Sequence, residues 1–535
     1  MGIRSITVIA QRRAATGPQE PGAPGKTPAP PPPKAEPPRN PGAAGETGTP
    51  REPGTPLATG APPAPENAAR RALPVLLLTL LLAGLVTVVI ETLAVGGDFG
   101  HVYRLPYWYA AGWALFGAAV LVVRKVPRRA ACWLIVAGSV ALALAGLSTA
   151  PRTSDDMYRY AWDGKVQAAG FSPYAYPPDA PQLAGLREPW LFPPRSDPAS
   201  RAGGDGCPGW DLRPVSATTC TRINRPTVHT IYPPVAEGWF LAVHALSPSG
   251  SRWKPMQAGG ALLAVGTTGA LLLALRRRRA DPRGAAVWAW CPIVPIASVN
   301  DAHVDTLGVL LTVLAFGLTA GRARRGALLG AAIAVKLLPV LAMPAALARR
   351  APREWPRIVL PAVAVIVLAY LPYVLRSGSG VLGYLPGYLQ EEGYEAGSVR
   401  RFALLRLVLP DGAAGPAAML SILAVAGYVL LRGDRRRPWG GALLVTGSAL
   451  LLTSPAYYWY ALIVVALVAL DGRWEWLGVP LAGLAVYTGS RTELDADTLQ
   501  TVAYGIAAAL VIAGALVRGN RIGSTVDTPP EPVPY

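Results

Sequence analysis

Charge is scarce in this chain, and negative charge scarcest. Of 535 residues only 15% are charged, with 32 acidic residues against 50 basic ones. A string of soluble domains is argued against by that shortage of polar surface. Apolar residues fill the gap at 51% of the chain, and runs close to 20 residues recur between positions 73 and 517, each long enough to cross a bilayer. Aromatic residues do not interleave with the arginines. That argues against a stacking platform for nucleic acid in spite of the formal charge of +18. The arginines instead cluster in short loops between apolar runs, at RKVPRR, RRRR, RARR and RGDRRR, the pattern of loops held on the inner side of a membrane. Cysteine is rare as well. Cys132 and Cys291 lie in apolar runs as inert packing residues. Cys207 and Cys220 share one polar loop, where a disulfide is expected if that loop faces an oxidising compartment. The opening MGIRSITVIAQRR has too short an apolar core for a cleavable signal peptide. No internal repeat is visible, which weighs against the alternative of a transporter or flippase for a lipid-linked sugar, whose halves should match.

These patterns predict an all-α polytopic membrane protein of about twelve transmembrane helices, ~20 residues each. A re-entrant hairpin and a large extracytoplasmic loop after the third span complete it. Residues 1–69 read as a disordered Pro/Gly/Ala-rich cytoplasmic tail. Residues 70–520 form the membrane domain, with 150–234 as the extracytoplasmic loop, and 521–535 make a short cytoplasmic tail. The run 326–347 is bounded by arginines at both ends, carries Lys336 in its centre and has Pro339 just after. A hairpin entering and leaving from the cytoplasmic side fits both features, and a full crossing is the alternative.

The chain is organised around residues 153–178, TSDDMYRYAWDGKVQAAGFSPYAYPP, which follow the third apolar run. Asp156, Arg159, Tyr160, Asp163 and Gln167 recur at spacings of three and four and share one helical face. A purely structural membrane protein has little use for such a face, whereas an enzyme handling a sugar at a membrane surface does. On the expected topology Asp155, Asp156, Arg159, Asp163, Asn224, His229, Tyr232, His303, Asp305, Arg400 and Arg401 all gather on the outer side. The loops opposite hold little but arginine.

The string DDMYRYAWDGKVQAAGFSPYAYPP, with INRPTVHTIYPPVAE, NDAHVD and AVKLLP after it, resembles the polyprenyl-phosphate-sugar-dependent glycosyltransferases of the GT-C superfamily, nearest to their bacterial mannosyltransferase branch. The likeness covers roughly positions 73–375 and fades towards the C-terminus. It implies a multi-spanning fold whose first large external loop carries a catalytic Asp or Glu. It also implies a lipid-phosphate donor entering from the outer leaflet of the cytoplasmic membrane, a glycan or lipoglycan acceptor, and inversion at the anomeric carbon. Mannose is the expected sugar. An acceptor hydroxyl needs a carboxylate to take its proton as it attacks, and the leaving phosphate needs positive charge. Asp156 is the expected base, because it shares the polar face. Asp155 lies ~100° away on a helix and serves as cap or metal ligand, or exchanges roles with Asp156. Arg159, His303, Lys336, Arg400 and Arg401 are candidates for the donor phosphate. Tyr160, Trp162, Asp163, Asn224, His229, Tyr232 and Asp305 are candidates for sugar and acceptor. A divalent metal is the one cofactor left open.

Overall fold

The computed structural model describes residues 65–96, 103–196, 206–383, 385, 387, 401–489 and 492–524. The expected tail over residues 1–64 and residues 525–535 of the expected C-terminal tail lie outside them. Residues 65–69 already belong to helix α1 (Pro65–Val95), and the last helix, Ala496–Ser524, continues past 520.

The described chain is helical, with a single two-stranded hairpin. Among the described residues seven helices are long and apolar enough to cross a membrane: Ala72–Val95, Leu105–Lys125, Arg128–Gly146, Lys254–Arg277, Pro356–Leu382, Asp411–Arg432 and Ala496–Arg518. Several bury little of themselves in protein, 22% of the first and 11% of the fifth, so leucines such as Leu73, Leu76, Leu80, Leu368 and Leu375 stand exposed. Apolar surface in that quantity requires lipid around it. The chain is an integral membrane protein.

Twelve crossings is more than these lengths support. The expected crossings on either side of NDAHVD are two arms, Val294–Asn300 and Asp305–Leu318, bent by 114° at a short break. Each arm falls well short of ~20 residues, so together they make one broken span or a re-entrant loop, and an eighth crossing at most. The apolar helices Leu338–Leu347, Pro438–Thr453 and Tyr458–Asp471 are shorter still than the seven.

Helices α2 (Leu105–Val122) and α3 (Arg128–Gly146) pack with α1. Helix α6 (Lys254–Arg277) runs through the core, where Ala264 O accepts from Trp288 of the short helix α7 (Ala286–Ala289) at 3.0 Å. Beyond the break, α8 (Asp305–Val313) leads to α9 (Arg322–Ile333). Helix α9 stops three residues before Lys336, and a turn at 338–342 and α10 (Met343–Leu347) follow. The chain is thus broken where the sequence places Lys336 and Pro339. Gly326 and Gly330, one turn apart on α9, let α11 (Pro356–Ser377) lie backbone against backbone at Ile358 and Ala362.

The loop after α3 has its own core. Helix α4 (Asp156–Ala168) packs on α5 (Pro234–Leu246), and Trp162, Leu183, Phe192, Ile223 and Phe240 are buried around them. At 13 residues α5 is too short to span. Gly164 permits the contact, since a Cβ there would collide with the Phe240 carbonyl. Strands β1 (Arg213–Pro214) and β2 (Cys220–Thr221) pair antiparallel, and Cys207 is disulfide-bonded to Cys220.

Candidate active site

The site begins where α3 ends, and the break after α7 fixes that end. Asn300, fully buried, donates to Gly146 O and Ala150 O at 3.1 Å and accepts from Arg152 N at 3.0 Å. Gln257 of α6 in turn donates to Asn300 O at 2.8 Å. Asp301 accepts from Thr153 N and Ser154 N at 3.2 Å each and from the Thr153 hydroxyl. The Tyr487 hydroxyl donates to Thr153 O. With 150–154 held in this way, α4 starts at Asp156, whose N–H donates to Ser154 Oγ at 3.3 Å. Ala302 in the break and Arg225 beside Asn224 both take positive φ, 50° and 47°. Non-glycine residues hold that conformation only where their surroundings enforce it.

Four chain segments converge on the carboxylate pair. Asn224 Nδ2 donates to Asp156 Oδ1 at 2.7 Å and to Asp155 Oδ1 at 3.0 Å. Arg213 of β1 pairs with the other Asp155 oxygen. His303 Nδ1 lies 3.6 Å from Asp156 Oδ2, and its ring stacks on Trp459 with centroids 4.1 Å apart. Lys336 Nζ reaches Asp305 Oδ2 at 2.8 Å and sits 4.5 Å over the Tyr460 ring. Asp305, Lys336, Pro339, Trp459, Tyr460 and Ile463 line a narrow cleft there. Burial, and then the charge of Asp155, push the Asp156 carboxyl up from 3.8 to about 6, against the pull of Lys336, Asn224 and Arg225. A carboxyl tuned in that way titrates close to neutrality, as proton-transfer groups do.

Other expected site residues lie elsewhere. Arg159 is 4% exposed, with its Nε on both oxygens of Asp163 at 3.0 and 3.1 Å and one terminal nitrogen on Val228 O at 3.1 Å. It holds the α4 core together and presents no free face to a phosphate. Asp163, 1% exposed, is spent in that pair and presents nothing to a sugar. Glu237 completes the cluster. It accepts from Thr230 at 2.7 Å and from Gln167 at 2.8 Å, and Gln167 accepts from the Tyr373 hydroxyl at 2.7 Å. Burial and the nearby Asp163 push Glu237 well above the usual carboxylate range. Trp162 is buried edge-on to Phe192, inside the loop core rather than open to a sugar. Tyr160 stacks on Phe240 and meets Tyr232 edge-on, so both rings pack within the loop. His303 is buried between Trp459 and Asp156, with neither ring nitrogen hydrogen-bonded. His229 is exposed on the loop, Arg401 is buried, and Arg400 lies outside the described residues.

Sequence reasoning missed Arg213, Arg225 and the clamp made by Asn300 and Asp301. NDAHVD was visible as a motif, but its first two residues position the chain. For Arg213 no spacing signal existed. Among the described residues no group of three His, Cys, Asp or Glu side chains is placed to hold a metal ion. A cavity of about 230 Å³ opens on the opposite side of α4, between Lys165, Glu188, Trp190, His244 and Arg252.

With the geometry known, comparison with known proteins adds the chemistry. Residues 230–455 match glycosyltransferase family 87. This is a GT-C-type family that uses polyprenyl-phosphate sugars. The match takes in the break with His303 and Asp305, and Lys336, stops short of Trp459, and runs beyond position 375, where the likeness was expected to fade. It covers less than half of the chain and begins downstream of Asp155, Asp156 and Asn224, so the role of the carboxylates rests on their geometry. No curated protein and no solved structure matches the chain. The family-87 match and the membrane helices together support a membrane glycosyltransferase.

Proposed function

We propose that the protein moves a sugar, with mannose the first to test, from a polyprenyl phosphate to a glycan or lipid acceptor outside the cytoplasmic membrane, with inversion. The observation that carries this reading is the placing of Asp156. One of its oxygens is held by Asn224 and the other faces His303, and Lys336, paired with Asp305, is near enough for its charge to act on Asp156. Asp156 takes the proton of the acceptor hydroxyl as the oxygen attacks the anomeric carbon from the face opposite the phosphate. The bond from that carbon to the phosphate oxygen breaks, and the departing polyprenyl phosphate gathers negative charge beside Lys336. Asp305 holds the ammonium in place, and the apolar side of the cleft, Pro339 and Ile463, suits the lipid end of such a donor. His303, stacked on Trp459, stands 3.6 Å from the Asp156 carboxylate.

The test is sugar transfer from labelled polyprenyl-phosphomannose to a host lipid and glycan extract, by membranes holding equal amounts of wild type, Asp156→Asn or Asp155→Asn. A loss of ~10²–10⁴-fold in Asp156→Asn, with a smaller one in Asp155→Asn, is expected. Unchanged transfer in Asp156→Asn overturns the assignment of the base.

A further inference from the structure

The hairpin in the loop brings one cation to the carboxylate pair from a distance of 58 residues along the chain. We infer that Arg213 is a positioning residue that offsets part of the charge of Asp155 so that Asp156 acts as the base, and that the Cys207–Cys220 disulfide staples the hairpin that delivers it. The inference rests on the reading of Asp156 as the base.

Two strands of two residues each have little stability of their own. Here Arg213 lies opposite Thr221 in the register, and Pro214 lies opposite the disulfide-bonded Cys220. Cys220 N–H donates to Pro193 O at 2.9 Å and Arg195 N–H to Thr218 O at 2.8 Å, which ties the hairpin to the stretch before it. On its other side Arg222 pairs with Asp211 and lies 5.9 Å over the Tyr158 ring of α4. Arg213 is therefore held between two anchors, and its reach to Asp155 depends on both.

The charge arithmetic gives the arrangement its purpose. Asp155 and Asp156 share one donor nitrogen of Asn224. Two adjacent carboxylates served by one amide repel each other, and one of them tends to take a proton. The Arg213 side chain compensates Asp155, whose side chain is 13% exposed, and leaves the second oxygen of Asp156 facing His303 and the open side. Without Arg213 more of the charge of Asp155 falls on Asp156 and raises its affinity for a proton further. The other groups around Asp156 remain: Tyr160 on its own helix, Arg225 on the loop, His303 and Asp305 at the break, Lys336 after α9, and Tyr457 beside Trp459.

The test reads the protonation of Asp156 without needing the substrate. Purified full-length protein is treated with a water-soluble carbodiimide plus an amine across a pH series, and labelling of Asp156 is measured by peptide mass spectrometry. Wild type should lose labelling with a midpoint near pH 6. In Arg213→Gln the midpoint should move up by about one pH unit, and Arg213→Lys should restore most of it. Reducing the disulfide should move it in the same direction. In an Asp155→Asn background, where no charge is left to compensate, adding Arg213→Gln should change nothing. That pair also serves if Arg213→Gln alone folds poorly. A midpoint that stays put in Arg213→Gln, or that still moves in the Asp155→Asn background, overturns the inference. In the transfer assay the acidic limb of the pH–rate profile should follow the labelling midpoint. Labelling that shifts while Asp156→Asn still transfers sugar would keep the positioning role and remove the base.

Discussion

Helix α4 carries two clusters of charge within two turns of each other, and they are built to opposite ends. Around Asp163 every group is spent. Arg159 covers the carboxylate, Thr230 and Gln167 cover Glu237, and the whole set is buried. Around Asp156 the groups are held but not saturated. Asn224 occupies one oxygen, the histidine facing the other is 3.6 Å away, and Lys336, whose charge acts on Asp156, borders a cleft. Residue type does not separate the two clusters, since each has acids, a base and aromatic rings. Saturation does. A saturated polar cluster joins elements of the fold, whereas an unsaturated one beside a cleft has bonding capacity left for a ligand.

Substitutions at the two clusters should therefore fail in different assays. Asp156→Asn should show the largest effect on transfer, the ~10²–10⁴-fold expected of a lost general base, with thermal unfolding in detergent unchanged. Arg159→Ala should do the reverse. It leaves Asp163 buried and uncompensated, at a cost of ~3–5 kcal/mol, read as lost expression and a lowered unfolding temperature. If Arg159→Ala folds normally and loses only activity, the contrast between the clusters breaks. Lys336→Gln should fall between them. Transfer should drop ~10–100-fold, the equivalent of one charge-assisted hydrogen bond at ~1.5–3 kcal/mol, and more in the kcat than in the donor KM if the ammonium meets charge that develops late. Gly164→Ala should cost ~1–3 kcal/mol of stability by forcing α4 off Phe240, and activity should follow stability. The pH dependence of wild type sharpens the comparison most gently. Asp156 works as the ionised form, so the rate should fall as pH drops through about 6 and level off above it. Glu237, pushed well above the usual carboxylate range by burial and Asp163, lies in the cluster around Asp163 and should add no limb of its own.

Much of this was legible in the sequence where periodicity carries the signal. Seven of the apolar runs became helices of membrane length. The spacing of Asp156, Arg159, Tyr160 and Asp163 placed them on α4, and Lys336 with Pro339 marked a real break after α9. What periodicity cannot show is which polar residue on a shared face meets which partner. Arg159 and Asp156 look alike as positions on that face, yet one faces α5 and Val228 and the other faces the break. The number of crossings was over-read for a related reason. Hydropathy registers apolar runs, and a run that bends by 114° or ends early is as apolar as one that spans. Arg213 was invisible because its partner is set by a hairpin and a disulfide, and no local pattern encodes either.

The Tyr487 hydroxyl on Thr153 O has a consequence for how the protein is made. The two residues are 334 positions apart, and the Asp301 clamp on the same short stretch closes a separation of 148. A chain leaves the ribosome N-terminus first, so the carboxylate pair is synthesised early and waits, unclamped, through the insertion of most of the helices. Its final geometry comes only when the penultimate described helix, Gly478–Gly489, is in place. Partial chains would carry the aspartates without the settled site, and catalytic competence would arrive as one of the last events of biosynthesis.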